Sequence, residues 1–532
     1  MSAEAITPDA PAKKKSLFKS HPLLMVAVLT IASFMEILDA GIANVALPSI
    51  SGSLQVTPEE ASLVTSSYLV ANAVIVPITG WLTTYFGRKR LYLTCVIIFI
   101  SASALCAVST SLEMLVFFRV IQGLGGGNLV AIEQAFIADS VPAEQRGMAF
   151  SIYGVTLVCA PIFAPALGGW ITDNYGWPWI FLINVPIGLL SLFLVSTLVT
   201  EPQATTDERK RLRKSGQRID WIGILLVTTG IAALTIVLDK GNREDWFESN
   251  FIVTFAIIAV VALVIGIMWE LGHENPAVDI RLLGNRYVGG GTIVVFAIAV
   301  MIYGNGVLVP LFAQTMLGFS AQDSGMINTV GGLVSLTMIP IAGLMMKRVD
   351  ARYLAIFGLS FSAFALWSFT SLTLGAGYWD LAYIRGLQTF GGAFLFAPVT
   401  TAAFRGVPKG KTDNASSLIT TAASLGGSVG IAILTMNLAN RTQHHIGPLA
   451  SQASEYNPNY VDWLSRATQV FQEKGMSAIE AASAARAQMW SEINRQAGML
   501  AFIDTFYILM FMIICVIPLI FLLKAGVGKK KA

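Results

Sequence analysis

Charged and reactive side chains are scarce in this sequence. Only 13% of its 532 residues are Asp, Glu, Lys or Arg, whereas soluble proteins carry about 25%. The four cysteines fall within apolar segments and form no CxxC pair, so we predict that Cys95, Cys106, Cys159 and Cys515 are buried thiols. This composition excludes an ordinary soluble domain, and the cysteine pattern indicates no metal site.

Catalytic and metal-binding patterns are also missing. The only histidine pair, His444 and His445, lies in a polar segment without a nearby cysteine, so we predict no metal. No HExxH, Walker A or haem-ligand pattern occurs. We therefore expect a protein that is not an enzyme, with no catalytic residue and no cofactor.

Long apolar runs make up most of the chain, and 55% of the residues are hydrophobic. A run of about 18 or more such residues can cross the ~30 Å hydrocarbon core of a membrane as a helix. The predicted fold class is an all-α polytopic membrane protein with fourteen transmembrane helices. The predicted spans are 22–47, 61–84, 91–110, 112–138, 147–171, 178–199, 219–239, 250–271, 287–316, 324–346, 352–374, 380–404, 413–440 and 498–523.

The basic residues predict the orientation of these spans. With a cytoplasmic N-terminus and alternating spans, 26 of the 35 Lys and Arg residues lie in inner segments and 7 in outer segments. This excess fits the positive-inside rule, so both termini are predicted to be cytoplasmic. The net charge of +3 then reflects topology rather than nucleic-acid binding. No small-residue cleavage site follows the basic run at 13–15, so the first helix is predicted to be uncleaved.

Two parts of the chain resemble each other. Residues 119–126 (RVIQGLGG) in the fourth span match 385–392 (RGLQTFGG) in the twelfth, and 77–80 (PITG) in the second match 340–343 (PIAG) in the tenth. The repeat predicts two six-helix halves with two extra helices between them. Such halves resemble the architecture of major facilitator transporters, in which the substrate site lies between the halves near the midplane of the membrane.

This arrangement divides the chain into six predicted regions. They are a cytoplasmic N-terminal tail (1–21), an N-terminal six-helix half (22–199), a cytoplasmic linker with two extra helices (200–271), helices 9–13 of the C-terminal half (272–440), a periplasmic loop (441–497), and helix 14 with a cytoplasmic tail (498–532). Within the loop, 477–496 is predicted to be helical. The loop is either a folded cap or docking element, or a flexible connection.

Two carboxylates lie inside the first span. Glu36 and Asp39 are three residues apart and share a helical face, and a carboxylate at membrane depth costs roughly 2.5–3.5 kcal/mol. They mark either a solvated helix end or a protonatable site on a transport path, and the polytopic setting favours the second. Asp39 lies about 25 Å along the helix from Pro22, in the outer half of the bilayer.

Arg119 in the fourth span lies about 10 Å from the outer edge, and we expect it to pair with Asp39 or Glu36. The pair is either static, or it alternates between an ionised, paired carboxylate and a protonated one in an apolar pocket. The alternating pair would couple proton binding to conformation. Glu133, later in the same span, is predicted to lie at the inner interface rather than in a relay.

Other charged residues, and glycines and prolines, within the spans are further candidates for functional positions. Arg385 and Asp504 are predicted to lie at comparable outer depths and could pair in the second half. Glycines and prolines of the fifth span, among them Pro165, predict either a bend that gates between the halves or close helix packing.

Six motifs make the chain similar to one family. They lie at 38–48 (LDAGIANVALP), 80–90 (GWLTTYFGRKR), 119–123 (RVIQG), 165–169 (PALGG), 177–188 (WPWIFLINVPIG) and 496–506 (QAGMLAFIDTF). In these motifs the chain resembles the fourteen-helix drug:H⁺ antiporters of the major facilitator superfamily, EmrB/QacA type, over nearly its whole length. It departs from the family pattern at Thr84, where an acid is usual, at Ala164, where glycine is usual, and at Ala423, where a basic residue is common.

The candidate site residues follow from these motifs and from the buried charges. Glu36 is not a standard family position, and it could instead shape the substrate site. The candidates are Asp39, Glu36 and Arg119 for proton coupling; Asn44, Gln122, Glu133, Pro165, Arg385, Gln388 and Asp504 for substrate binding or gating; and Gly80, Gly87, Arg88, Lys89 and Arg90 for the loop between spans 2 and 3.

Three functions remain open. The first is export of small amphipathic compounds driven by the proton motive force, where buried acids near one arginine would tolerate cationic or neutral substrates. The resemblance implies antibiotic resistance, a bacterial inner membrane with its lipids, a periplasmic adaptor (membrane fusion protein) and an outer-membrane channel. The alternatives are a dedicated exporter of one metabolite or siderophore, and a sensor or scaffold that does not transport. Asp39 and Arg119 argue against the last.

Overall fold

The described part of the chain is helical and contains no strand. The computed structural model describes three ranges of residues: 22–201, 220–408 and 410–523. The predicted N-terminal tail, most of the basic linker (202–219), Lys409 and the C-terminal residues 524–532 lie outside the described residues. The predicted all-α membrane fold is confirmed.

The helices are numbered along the chain. The first half and the extra pair contain α1 Pro22–Leu54, α2 Pro58–Ala61, α3 Leu63–Ile75, α4 Thr79–Phe86, α5 Arg88–Ala107, α6 Leu112–Gly126, α7 Asn128–Ser140, α8 Arg146–Tyr175, α9 Pro178–Leu182, α10 Asn184–Leu198, α11 Trp221–Lys240 and α12 Asn250–Gly272. The second half contains α13 Arg286–Thr315, α14 Ala321–Met345, α15 Ala351–Thr370, α16 Tyr378–Ala393, α17 Phe396–Ala403, α18 Thr412–Gln452, α19 Pro458–Glu473 and α20 Ala478–Leu519.

Twelve helical segments in the described ranges are long and apolar enough to cross a membrane. The pair Pro58–Ile75 and Thr79–Phe86, which is bent by 62°, would make a thirteenth. Consecutive helices α6 and α7 form one of the twelve segments, and α9 and α10 form another. The count of fourteen stays a prediction, because α16 and α17 cover the predicted span 380–404 as separate helices of 16 and 8 residues.

The two halves are groups of helices that meet along a few contacts. In the first half α1 packs against α8 and α10, and α6 packs against α3 and α5. In the second half α13 packs against α18, and α16 packs against α14 and α15. The halves meet where α8 contacts α14 and α17, and where α18 contacts α4 and α7. The extra helices α11 and α12 pair with each other, and α11 also contacts α3 and α18.

The bundle has two different ends. We call the end at which α5 begins the basic end, because Arg88, Lys89 and Arg90 lie there. We call the opposite end the hairpin end, because the segment 441–497, described below as a helical hairpin, lies there. At the hairpin end, the side chains of Ser111 and Ser320 accept backbone N–H groups and so cap α6 and α14. These caps satisfy donors that a helix start otherwise leaves unpaired.

The segment 441–497 contains the end of α18, all of α19 and the start of α20. We call this segment the helical hairpin. Helix α18 continues past the predicted end of its span at 440 and stops at Gln452, and α20 begins at Ala478 with Ser477 as its N-cap. The predicted helix at 477–496 is confirmed, and α19 packs against α20. At 1.5 Å per residue, α18 and α20 measure roughly 60 Å each, about twice the hydrocarbon core.

Candidate functional site

A buried ion pair lies between α1 and α6. Arg119 Nη1 donates to Asp39 Oδ2 at 2.6 Å, and neither side chain is more than 1% exposed. The predicted pairing of Arg119 is confirmed, with Asp39 rather than Glu36 as its partner. Because desolvation of two ions is costly, such a pair persists only where other hydrogen bonds satisfy its remaining polar atoms.

Neutral donors complete the environment of Asp39. Its Oδ1 accepts hydrogen bonds from Asn184 Nδ2 at 2.6 Å and from Gln122 Nε2 at 3.0 Å. Both amides also donate to Ser103 Oγ, at 3.0 and 3.2 Å respectively. Asp39 is therefore connected to α5, α6 and α10 at once. Sequence reasoning missed Asn184 and Ser103, although Asn184 stands inside the motif at 177–188.

Arg119 is fixed by further contacts. Its Nε donates to the backbone oxygen of Val64 at 3.1 Å, and its Nη1 also donates to Gln122 Oε1 at 2.8 Å. The rings of Tyr68 and Phe181 lie 4.1 and 5.5 Å from the guanidinium carbon, where the ring faces attract a cation. Nη2 has no hydrogen-bond partner among the described residues. The Nη2 nitrogen, which carries two N–H donors, is thus buried without a partner in the described ranges.

Glu36 belongs to a second polar group, one turn from Asp39 toward the basic end. Its Oε1 accepts hydrogen bonds from Asn72 Nδ2 at 2.7 Å and from the Tyr68 hydroxyl at 3.3 Å, whereas its Oε2 has no partner in the described ranges. Tyr68 connects the two groups, because its hydroxyl reaches Glu36 while its ring faces Arg119. Sequence reasoning did not predict Tyr68 or Asn72; their four-residue spacing, which places both on one helical face, was the available signal.

Glu133 is fully buried, so its predicted position at the inner interface is wrong. Its carboxylate accepts a hydrogen bond from Ser33 Oγ on α1. Gly126, the last residue of α6, allows a close approach to α1, because a Cβ there would lie 3.0 Å from Glu36 Cγ. Asp39 and Glu36 on α1 and Glu133 on the neighbouring α7 therefore follow one another toward the basic end.

The second half repeats the arginine without a carboxylate. Arg385 Nη1 donates to Gln388 Oε1 at 2.8 Å, the same bond at the same spacing that Arg119 makes with Gln122. No carboxylate of the described residues pairs with Arg385, and its buried Nε has no hydrogen-bond partner there. Both halves thus keep the Arg–Gln hydrogen bond, but among the described residues only Arg119 has a carboxylate counter-ion.

The predicted pair of Arg385 and Asp504 is wrong. Asp504 Oδ2 lies 2.9 Å from His445 Nε2 and 3.7 Å from Arg441 Nε, both on the extended part of α18. Asp504 on α20 faces α18, whereas Arg385 on α16 packs beside Gly331 of α14. The partners of Asp504 lie on the extended part of α18, a part of the chain that was predicted to be a loop.

Arg88 joins the two halves at the basic end. Its Nε and Nη2 donate to the two oxygens of Asp413 on α18 at 2.7 and 2.8 Å, and Nη2 also donates to Asp139 Oδ2 at 2.8 Å. Thr412 Oγ1 donates to Asp139 Oδ1 at 2.8 Å. We call Arg88, Asp139, Thr412 and Asp413 the latch. Bidentate arginine–carboxylate contacts are strong and geometrically specific, and this one forms although Thr84 stands where the family has an acid.

The other residues of the loop motif shape the turn between α4 and α5. Gly87 has a φ of 92°, a conformation that favours glycine. A Cβ on Gly80 would collide with Asn414 of the second half. Lys89 Nζ donates to a backbone oxygen of α10 at 2.7 Å, and Arg90 is exposed. Because Gly80 has no side chain, the two halves approach each other closely at this point of the motif.

An apolar groove runs along α1 and α8. Two adjoining cavities of about 600 and 420 Å³ share Phe34 and Phe163, and the larger one reaches Pro340 of the second half. On the same two helices, the predicted residues Asn44 and Pro165 are exposed. Asn44 Nδ2 donates to a backbone oxygen of its own helix at 3.2 Å, and α8 is a continuous helix through Pro165.

The cysteines divide into two groups. Cys95 and Cys106 are buried as predicted, whereas Cys159 is half-buried and Cys515 is exposed. Burial was the wrong prediction for Cys515 because the outer surface of a membrane-spanning helix is itself apolar. Among the described residues, no group of three or more His, Cys, Asp or Glu side chains is arranged to hold a metal.

Comparisons with known proteins find relatives over most of the chain. Residues 29–431 match the family model of the Major Facilitator Superfamily. The "Multidrug export protein EmrB" of Haemophilus influenzae is 38% identical over 440 residues, which are 82% of this chain and 84% of that protein. The protein of the same name from Escherichia coli K12 is 36% identical over 450 residues, 84% and 86% of the two chains. The solved structure of the proton:xylose symporter XylE with 6-bromo-6-deoxy-D-glucose matches with a TM-score of 0.57 at 16% identity, over 91% of this chain and 95% of that chain.

Proposed function

The chain belongs to the major facilitator superfamily, and from this premise we propose that it exports several chemically different amphipathic compounds in exchange for protons. The relatives named multidrug export proteins are 36% and 38% identical to it over more than four fifths of the chain. The observation that carries the proposal is the ion pair of Asp39 and Arg119, buried between two membrane-spanning helices. A buried carboxylate of this kind in a membrane helix is a functional group by default.

Protonation of Asp39 would change its bonding. As an anion, Asp39 accepts hydrogen bonds from Arg119, Gln122 and Asn184. A protonated carboxyl group carries a donor in place of one acceptor site and no longer balances the guanidinium charge. Two different packings of α1 against α6 and α10 are then favoured in the two protonation states, and a proton can shift the equilibrium between them.

The protons also need a route to the basic end. Glu36 on α1 and Glu133 on α7 are buried on that route, and each has one oxygen without a partner among the described residues. We assign to them the transfer of the proton between Asp39 and the basic end. Alternating access would additionally require the latch to open, because Arg88 and Asp413 hold the halves together there.

The multi-span helical architecture and the relatives imply a bacterial inner membrane. With both termini in the cytoplasm, the helical hairpin lies in the periplasm, where we place the binding site for an adaptor protein that leads to an outer-membrane channel. Support comes from the length of α18 and α20, which exceeds the membrane core, and from the exposed side chains Tyr456, Ile479 and Trp490. Replacing these three by serine should abolish co-purification with the adaptor and leave membrane insertion intact. Undiminished co-purification would contradict this site.

The proposed coupling is tested in proteoliposomes with an imposed pH gradient. Asp39→Asn should abolish gradient-driven export of a fluorescent cationic dye such as ethidium, because the group that binds the proton is gone. Glu113→Gln, which changes an exposed acid at the hairpin end, is the matched control and should export like the wild type. Export that survives Asp39→Asn would contradict the assignment. A panel of dyes and antibiotics separates multidrug export from a dedicated exporter, which would move one compound only.

A further inference from the structure

Arg385 presents an unbalanced positive charge inside the second half, and we propose that it binds the anionic head group of a substrate, a carboxylate or sulfonate on an amphipathic organic anion. The inference rests on the proposed export function and names a class of substrate for it. The buried acids of the first half accommodate cations and neutral compounds, whereas Arg385 adds a site for anions.

The charge of Arg385 has no counter-ion within reach of its own half. Helices α13 and α15 contain no acidic residue. The acids of α14 and α16 stand in the first turns of those helices: Asp323 is bonded to Ser320, and Asp380 accepts the backbone N–H of Gly377. Asp413 is bonded to Arg88 at the basic end. The only described bond of the Arg385 guanidinium is the one to Gln388.

The position of Arg385 is suited to a ligand that enters between the halves. A Cβ on Gly331 would lie 3.1 Å from Arg385 Cγ, and a Cβ on the next residue, Gly332, would collide with Ile162 of the first half. Arg385 therefore stands beside the contact between α14 and α8. Its side chain is half-buried as a whole, and its Nε is enclosed without a hydrogen-bond partner among the described residues. In transporters of this architecture the substrate site lies between the halves.

The remaining donors of Arg385 match a carboxylate. Nη1 is occupied by Gln388, which leaves Nε and Nη2, two parallel N–H groups that can bind both oxygens of one anionic group. Asn328 lies one turn before Gly331 on the same face of α14. Its Nδ2 amide group is a donor that can contribute a further hydrogen bond to an anion. The surrounding helices are apolar, so the rest of the ligand is hydrophobic.

The test uses three twelve-carbon probes with different head groups: dodecanoate, dodecanol and dodecyltrimethylammonium. Binding to the full-length protein in phosphatidylcholine nanodiscs is measured at pH 9, where dodecanoate is ionised, with protein-free nanodiscs subtracted. Arg385→Gln should weaken dodecanoate binding by about tenfold or more, because charge-assisted bonds are lost. Binding of the other two probes should change by less than about twofold. Arg385→Lys should give an intermediate loss, because it keeps the charge and loses the planar pair of donors.

Tyr383→Phe, at an exposed position of the same helix, is the matched control and should bind all three probes like the wild type. Equal dodecanoate affinity in wild type and Arg385→Gln, or an equal loss for dodecanol, would overturn the proposal. Where Arg385→Gln does not fold, Arg385→Lys decides: a selective loss for dodecanoate supports the site, and an unchanged affinity overturns it.

An anionic lipid head group has the same chemistry as the proposed substrate. Nanodiscs with phosphatidylglycerol separate the two sources: an Arg385-dependent affinity for dodecanoate that does not depend on the lipid supports a substrate site. Loss of that affinity in phosphatidylglycerol would assign Arg385 to lipid and overturn the substrate proposal. Because the readout is binding, it decides about Arg385 even where Asp39→Asn leaves gradient-driven export intact and the coupling proposal fails.

Discussion

Arg119 and Arg385 are the same residue of an internal repeat in two different environments. Each donates from Nη1 to a glutamine one turn later, at 2.8 Å in both halves. Arg119 also contacts Asp39, and the network around that contact draws in Asn184 and Ser103. Arg385 has no carboxylate partner in the described second half.

The difference comes from the first helix of each half. Helix α1 carries Glu36 and Asp39, whereas α13 carries no acid and has Asn305 as a buried polar residue. A repeated arginine therefore does not imply a repeated function. An arginine that has its own counter-ion can take part in proton exchange, and one without a counter-ion is available to an anionic ligand.

The largest expected effect is the difference in stability between a variant of Arg119 and the same variant of Arg385. Arg119→Gln leaves Asp39 buried without its counter-ion and should lower the free energy of unfolding by about 3–5 kcal/mol. Arg385→Gln removes a charge that has no carboxylate partner among the described residues and should cost less than about 1 kcal/mol. The melting temperatures of the two purified variants in one detergent measure this. Equal shifts would show that the two environments do not differ energetically, and Asp39→Asn combined with Arg119→Gln should be more stable than Arg119→Gln alone.

The second effect concerns the contact between the halves. Arg88→Gln removes the bonds to Asp413 and Asp139, and hydrogen bonds to charged groups contribute about 1.5–3 kcal/mol each. The basic end should then open in a larger fraction of molecules. Spin labels at Gln145 and Lys347, in a cysteine-free background, should show a longer distance population.

Arg90→Gln, at an exposed position of the same turn, is the control for the latch and should leave the distances unchanged. An unaltered distance distribution in Arg88→Gln would mean that the latch does not hold the halves together.

A smaller effect is expected at Asn184, which belongs only to the first-half network. Asn184→Ala removes one donor to Asp39 and one to Ser103, and should cost about 1–3 kcal/mol of stability. It should also slow gradient-driven export, because Asp39 loses a bond that connects it to α10. An unchanged export rate would leave Asn184 with a packing role alone.

The smallest expected effect is the difference in stability between alanine variants of the two glutamines. Gln122 bonds to Asp39, Arg119 and Ser103, so Gln122→Ala should cost about 1–3 kcal/mol. The side chain of Gln388 makes one described hydrogen bond, and Gln388→Ala should cost about 0.5–1.5 kcal/mol. Thermal unfolding of both variants decides the order, and a larger loss for Gln388→Ala would contradict the comparison.

Some of the site could be predicted because depth in a membrane depends on position along a helix. Asp39 and Arg119 lie at matching depths in spans that run in opposite directions, and charges at such depths need partners. The same argument failed for Glu133 and for Arg385 with Asp504. Depth does not tell which way a side chain faces: Glu133 packs against Ser33 of α1, and the extension of α18 supplies the partners of Asp504.

The sequence by itself determined the membrane-spanning helices, the two-half repeat and the ionisable residues within the spans. These follow from hydrophobicity, charge and helical spacing, which are local properties of the chain. Only the tertiary structure decided that Asp39 rather than Glu36 pairs with Arg119, that Arg88 is held by Asp413, and that Arg385 is left without a counter-ion. These outcomes depend on which helix faces meet, and the partners concerned are 80 residues apart in the first pair and 325 in the second. Packing sets contacts over such separations, and no local pattern encodes them.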